Sequence, residues 1–348
     1  MANPISHDPS FWAAVKTLKK SQETKLCLAA SSADPCSGPI IAAHTIPKSQ
    51  LQYIAESGHV CTLAGDLQIF QRTQGKLELV KKGIGTFSVL NCFCAHHDIA
   101  LFSPIENNPL IFSPKQITCL HYRAIAAELY RKITAVGGFE KTVSGYVKSQ
   151  GVKDKPNLEE FATLYLHGTN LGIIDVGSTF KGCEEAMFKH QFEDVSGLVI
   201  EFQKPGGLMS VGGFSPNFDY GARRVQDLSD EAVRCDQISL SILSSQGKAA
   251  VVFAWLKTAT APKLFVESLI KQRRDLYTAL IIQTAFEQLE NTCMKIQWWD
   301  DLRPIERKLL TERMQTAMGP ERRASTALTY GGVTFDDWGY ENHYYVNI

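Results

Sequence analysis

The richest concentration of metal-ligating side chains in this chain is the segment Asn91–Asp98, which holds two thiols, two imidazoles and one carboxylate. Upstream of it lie Cys27, Cys36 and His44. Cysteine thiolates and neutral histidines are the usual ligands of structural zinc, in sets of four with tetrahedral geometry. The two segments together therefore predict a zinc site.

The spacing of these residues suggests which four are the ligands. Cys94 and His97 are three residues apart, so both can reach one ion. Cys27 and Cys36 would form the other half, although their spacing is wider than the usual two to four intervening residues. Two neighbours, Cys92 and His96, compete for the second half. From spacing alone that choice stays open.

His44 is the candidate for acid–base chemistry. It follows the apolar pair Ile40–Ile41, which is typical of a strand, and it precedes Pro47. An imidazole titrates near neutral pH and can serve as a general base. A histidine in this position can equally bond to the backbone and pack in the core of the module. The residue types alone do not decide between the two.

The order of these residues resembles the HNH nucleases, which belong to the treble-clef, ββα-metal superfamily. The resemblance covers residues 25–105, under a third of the chain. It is carried by the following residues in order: Cys27, Cys36, His44 with Pro47 three positions on, Asn91, Cys94, His97 and Asp98.

The resemblance implies a role for each matching residue. His44 would be the general base, Asn91 would orient it, and Asp98 would help to hold a catalytic divalent ion, Mg²⁺ or Mn²⁺. The structural zinc ligands would be Cys27, Cys36, Cys94 and His97. The implied activity is metal-dependent hydrolysis of phosphodiester bonds in a nucleic acid.

Three features depart from the family pattern. Ala43 stands where the family commonly has an Asp or His that ligates the catalytic ion, Asn91 lies unusually close to Cys94, and the insert 45–90 is long. The second hypothesis is therefore a non-catalytic binding or regulatory protein in which zinc only stabilises the fold.

Composition limits the remaining possibilities. The chain has 348 residues, which suggests two or three domains. Basic and acidic residues number 36 each, so there is no overall basic excess of the kind that many nucleic-acid-binding proteins carry. One local basic run comprises Arg303, Arg307, Lys308, Arg313, Arg322 and Arg323. A solvated helix face is the usual explanation for such a run.

The sequence also bears on location. No apolar run reaches the roughly 18 residues that span a bilayer, and residues 1–10 do not resemble a signal peptide. We therefore expect a cytoplasmic protein that does not enter a membrane, with its nine cysteines free or bound to metal. The sequence carries no signal for its oligomeric state.

The predicted fold class is α+β, in three parts. Residues 1–112 would form the treble-clef-like zinc module, residues 113–193 a helical region, and residues 194–348 antiparallel strands followed by helices. This division follows the change from helical to strand-like patterns near residue 195.

Several elements are specific enough to compare with a structure. A helix should begin at Ser113-Pro114 and stop at Gly137-Gly138. Leu67–Arg72 is expected to be a strand, Pro304–Met318 a helix, and the aromatic tail Trp338–Tyr345 should dock on the body of the protein.

Overall fold

The structure is a computed structural model that describes residues 16, 20, 23–31, 34–149, 155–318 and 324–348. The basic residues Arg322 and Arg323 lie outside the described residues. Within the described part, the fold is a mixture of helices and antiparallel sheets, as the sequence predicted.

The centre of the protein is an eight-stranded antiparallel sheet with the strand order β10-β5-β8-β7-β6-β9-β2-β3. Its strands are β2 (His59–Ala64), β3 (Glu78–Gly83), β5 (Val195–Phe202), β6 (Leu208–Phe214), β7 (Ile238–Ser245), β8 (Lys248–Leu256), β9 (Thr292–Met294) and β10 (Tyr340–Val346). A tight turn around residues 245–248 joins β7 to β8 as a hairpin.

Helices cover both faces of this sheet. Leu198, Ile200 and Phe253 belong to the core under α6 and α7, and the alternate residues Val199 and Val252 belong to the core under α4 and α5. This alternation is the period of two expected for strands buried on both sides. The bounds are α4 (Pro114–Ser149), α5 (Lys155–Phe188), α6 (Ala261–Ile270), α7 (Tyr277–Gln288), α8 (Ile296–Asp301) and α9 (Pro304–Met318). None of the described helices is long and apolar enough to cross a membrane.

The large sheet takes strands from two distant parts of the chain. β2 and β3 come from the insert within the predicted zinc module, and Cys61 on β2 pairs with Met294 on β9. Consequently one sheet contains strands from both the 1–112 and the 194–348 ranges, and the insert holds the N-terminal part against the rest of the protein.

A separate two-stranded sheet carries His44, Asn91 and Cys94. Its strands are β1 (Ile40–His44) and β4 (Val89–Cys94), and the helix α3 (Ala95–Glu106) follows β4 directly. The register shifts between Ile41 and Ala43, so that one residue of β1 faces two residues of β4. This bulge re-aims the side chains around it.

The helix α4 begins at Pro114, as predicted, with the Ser113 hydroxyl accepting a hydrogen bond from the Gln116 amide at 3.3 Å. The predicted stop at Gly137-Gly138 is wrong, because α4 continues to Ser149. Each glycine costs a helix about 1 kcal/mol, which tertiary packing can offset. Here α5 packs along α4, and the rings of Phe139 and Tyr165 lie 4.4 Å apart.

The predicted strand at Leu67–Arg72 is also wrong. These residues form the helix α2 (Leu67–Thr73), preceded by the short helix α1 (Lys48–Leu51). The Asp66 carboxylate accepts hydrogen bonds from the amides of Gln68 and Ile69, each at 2.9 Å. Because this cap satisfies two otherwise unpaired donors, it stabilises a helix in a segment with little intrinsic helical signal.

The C-terminal predictions are confirmed. The helix α9 has the expected bounds, and the aromatic tail forms β10 against β5. Trp338 is fully buried and meets the ring of Phe202 edge-to-face at 5.4 Å.

Burial of His121 on α4 predicts a pH-dependent stability. Its Nδ1 shares a 2.8 Å hydrogen bond with the Ser239 hydroxyl, and burial lowers its pKa to about 3. Since the unfolded chain binds this proton from pH 6.5 downwards, stability is complete above pH 6.5 and falls as the pH falls. Chemical denaturation should show a loss of about 2 kcal/mol from this residue between pH 7 and pH 5.

The variant His121→Asn should be less sensitive to this pH change, whereas the exposed His190→Asn should behave like wild type. An unchanged pH dependence in His121→Asn would contradict the assignment.

Candidate metal centre and adjoining side chains

The junction between β4 and α3 positions two of the predicted ligands. Cys94 is the last residue of β4 and the N-cap of α3, and its Sγ accepts a hydrogen bond from the His97 amide at 3.5 Å. Cys27 joins them from the N-terminal segment, where its Sγ accepts a hydrogen bond from the Cys94 amide at 3.4 Å. Backbone donors of this kind stabilise negative charge on sulfur.

The four predicted ligands come together. Nδ1 of His97 lies 3.3 Å from Sγ of Cys27, 3.6 Å from Sγ of Cys36 and 3.3 Å from Sγ of Cys94. All four ligand atoms lie within 4.8 Å of one another. A tetrahedral zinc with the usual bond lengths places its sulfur and nitrogen ligands about 3.5 Å apart. The cluster therefore has the donors and the dimensions to hold a metal ion such as zinc.

A second hydrogen bond fixes the orientation of His97. Its Nε2 donates to the backbone carbonyl of Asp34 at 3.1 Å, so the lone pair must be on Nδ1, the atom facing the three sulfurs. The carboxylate of Asp34 also pairs with Nε2 of His96 at 2.5 Å. These contacts hold the loop that carries Cys36 against the start of α3.

The thiols differ in how readily they lose a proton. Burial raises the pKa of Cys27 to about 12. Burial also acts to raise the pKa of Cys94, but hydrogen bonds from the His97 amide and the Cys27 thiol outweigh it, and the pKa is lowered. One thiolate in the cluster opposes the formation of a second, so a bound cation is needed for all three sulfurs to be negative.

Cys92 and His96, the alternative candidates for the second pair of ligands, both lie outside the Cys₃His cluster. Cys92 is buried in the core on the α4 side of the sheet, and His96 pairs with Asp34. Asp34, His96 and His97 form a second group within ligand distance, but it shares His97 with the first. The tetrahedral set is therefore the one with Cys94 and His97.

His44, the predicted general base, is the last residue of β1 and is half-buried. Its Nε2 donates a 2.9 Å hydrogen bond to the backbone carbonyl of Ile84, which follows β3 in the insert. Because the proton is on Nε2, the lone pair is on Nδ1. The contact that orients this imidazole thus comes from the insert.

Asn91, which the resemblance made the orienting residue, contacts a different segment. Its Nδ2 donates to the carbonyl of Glu23 at 3.4 Å, and its own carbonyl accepts from the Leu26 amide at 3.1 Å. Both contacts hold the segment that carries Cys27. Asn91 therefore supports the metal cluster, and the Ile84 carbonyl is the recorded partner of His44.

Asp98, in the first turn of α3, is buried and faces a buried arginine. Nη2 of Arg123 lies 3.7 Å from Oδ1 of Asp98. Burial raises the pKa of this carboxyl; Arg123 opposes the rise, Glu106 adds to it, and the nearby His44 opposes it more weakly. Asp98 and His44 are therefore close enough to interact electrostatically. Ala43, beside His44, is buried and contributes no ligand atom.

Arg123, on α4, is the residue of this region that the sequence interpretation missed. It is 3% exposed, pairs with Glu106 at 2.7 Å and lies 4.0 Å from the centre of the Phe102 ring. Asp98, Phe102 and Glu106 are spaced four residues apart, so they form one stripe on α3 facing this guanidinium. The i, i+4 spacing of these three residues was the signal available in the sequence.

Neither a protein-family model, nor a curated protein, nor a solved structure matches this chain. The side chains gathered around β1, β4 and α3 are a Cys₃His cluster that could hold a metal ion, an imidazole with a fixed tautomer, and a carboxylate facing a buried guanidinium.

Metal content tests the cluster directly. We expect one tetrahedrally coordinated ion per chain by elemental analysis, and loss of that ion in Cys94→Ser. Cys92→Ser, two residues away and outside the cluster, should keep it. Ligand protons compete with metal, so retention should weaken as the pH falls. Equal metal content in the two variants would contradict the proposed ligand set.

Arg123→Met should destabilise the protein strongly, because two buried carboxylates lose their cation. Breaking a buried ion pair costs about 3–5 kcal/mol. Arg131→Met, a half-buried arginine on the same helix for which no ion pair is recorded in the described part of the chain, should cost about 1 kcal/mol or less. Urea denaturation measures both variants, and equal losses would argue against a special role for Arg123.

Proposed function

We propose that this protein is a metal-dependent hydrolase of phosphodiester bonds, related to the HNH nucleases, with a zinc-stabilised fold. The observation that supports this best is His44. It lies at the end of β1, its tautomer is fixed by the Ile84 carbonyl, and it interacts electrostatically with Asp98 at the start of α3.

The local topology agrees with the proposal. Two antiparallel strands, β1 and β4, are followed by α3, and the cysteine–histidine cluster lies where β4 meets the helix. This is the strand, strand and helix order of the ββα-metal superfamily. Zinc is the metal proposed for the cluster, because three sulfurs and one imidazole nitrogen at these distances suit it well.

His44 would act through its Nδ1. A water molecule bound beside the scissile phosphate would lose its proton to this nitrogen as its oxygen attacks phosphorus. The Ile84 carbonyl, which accepts the Nε2 proton, would stabilise the resulting imidazolium and keep the ring from turning.

The chain offers a modest donor set for the catalytic Mg²⁺ or Mn²⁺. Oδ1 of Asp98 faces Arg123 and is buried, so its other oxygen is the one that could ligate. Mg²⁺ is often held by only one or two carboxylates, with waters and substrate phosphates completing its shell. When bound, such an ion polarises the phosphate and stabilises the leaving oxygen.

The second candidate is a non-catalytic binding or regulatory protein in which the metal is purely structural. Two observations favour it: the residue before His44 is Ala43, and Arg123 neutralises part of the charge of Asp98. For the hydrolase the partner would be a nucleic acid. The cytoplasm, which keeps thiols reduced, would be the suitable location for either candidate.

A cleavage assay separates the two candidates. Metal-loaded protein with added Mg²⁺ or Mn²⁺ should nick plasmid DNA or cut RNA, and His44→Ala should reduce the rate by about 100-fold or more. His59→Ala, an exposed histidine on β2, is the matched control and should retain full activity. Absence of cleavage, or cleavage unaffected by His44→Ala, would leave the structural role as the better proposal.

A further inference from the structure

A cavity of about 550 Å³ lies away from the metal cluster, at the far end of α3. Its walls are α1 and the residue Tyr53 after it, the end of α3 with the following residues 107–110, and the turn between β7 and β8. Hydrogen bonds fix these walls: Gln50 Oε1 accepts from the Ser244 amide at 2.8 Å, and the Ser245 hydroxyl donates to the Leu110 carbonyl at 3.0 Å.

The charge of this cavity has one sign. Among its lining residues, Glu106 is the one that carries a charge, and there is no lysine, arginine or histidine. The Glu106 side chain is 34% exposed, and its Oε1 is 2.7 Å from Arg123. Because Arg123 is shared with Asp98, its guanidinium balances the charge of Glu106 only in part.

The end of α3 adds to this potential. The helix ends at Glu106, with Asn107 as its C-cap, and both residues line the cavity. The carbonyl groups at a helix C-terminus carry partial negative charge and favour cations.

The neutral lining groups suit an organic cation better than a metal ion. Tyr53 is 60% exposed, so its ring is free to lie against a cation or an alkyl chain. Ile105 and Leu110 supply apolar surface. Mg²⁺ and Ca²⁺ prefer several carboxylates, whereas this cavity has one, surrounded by carboxamides. The carboxamides are those of Gln50, Gln52, Asn107, Asn108 and Gln246.

We propose that this cavity binds a small aliphatic amine of the polyamine type. An ammonium group would lie between Glu106 and the end of α3 and donate to carboxamide oxygens, and the alkyl chain would lie against Tyr53 and Leu110. The cavity has the size of ordinary small-molecule sites. This proposal is independent of whether the protein cleaves nucleic acids.

Spermidine at low ionic strength is the probe, and isothermal titration calorimetry on the full chain is the measurement. We expect saturable binding with a Kd of about 1 mM or tighter. Tyr53→Ala should weaken it about twofold to fivefold, the usual range for an exposed cation–π contact. Glu312→Gln, which removes an exposed carboxylate on α9 outside the cavity, should leave the Kd unchanged.

Glu106→Gln would also deprive Arg123 of a partner. Introducing a charge of either sign at the neutral residue Gln52 is therefore the cleaner test. Gln52 is exposed on the cavity wall. Gln52→Lys should weaken spermidine binding about fivefold, and Gln52→Glu should strengthen it by a similar factor, because a nearby surface charge contributes about 1 kcal/mol.

Three results would overturn the proposal. They are the absence of spermidine binding, equal affinities in Gln52→Lys and Gln52→Glu, and displacement of spermidine by an equal concentration of Mg²⁺. A fourth result would also overturn it: if a lysine-rich peptide bound far more tightly than spermidine, the ligand of this cavity would be a protein and not a small amine.

Discussion

The convergence of three sulfurs on one imidazole nitrogen is the constraint on which the N-terminal part of this protein depends. Cys27 and Cys36 lie in irregular segments, whereas Cys94 and His97 lie at the junction of β4 and α3. Without a cation, these thiols oppose one another's ionisation. With one, four bonds would join these segments into a single unit. The backbone donors at Cys94 and the carbonyl of Asp34 already orient the ligands toward a common centre.

A second polar interaction joins this module to the body. Arg123 lies on α4, yet its guanidinium rests on the ring of Phe102 and faces carboxylates at both ends of α3. A buried arginine is tolerated only when its charge is matched, and the two acids do so. The same contact draws Asp98 toward α4. Asp98, a candidate ligand of the catalytic ion, is thus held by a helix outside the module.

The insert between β1 and β4 connects the module to the large sheet. Its strands β2 and β3 form one end of that sheet, and the carbonyl of Ile84, the residue after β3, accepts a hydrogen bond from Nε2 of His44. An insert that looked like an interruption of a short motif therefore has two structural roles. It orients the imidazole, and it extends the central sheet to eight strands.

The sequence by itself determined the local features. Residue types and spacing located the cysteine–histidine segments that form the cluster, the start of α4, the bounds of α9 and the docking of the aromatic tail. Each of these features depends on interactions between residues close together in the sequence, or on apolar side chains that must be buried. Only the tertiary structure decided that Cys94 and not Cys92 joins the cluster, that α4 passes through Gly137-Gly138, and that Arg123 and Ile84 contact Asp98 and His44. The contacts of Arg123 and Ile84 join residues 25 or more positions apart, so no local pattern encodes them. The course of α4 through its two glycines depends on packing that outweighs local propensity.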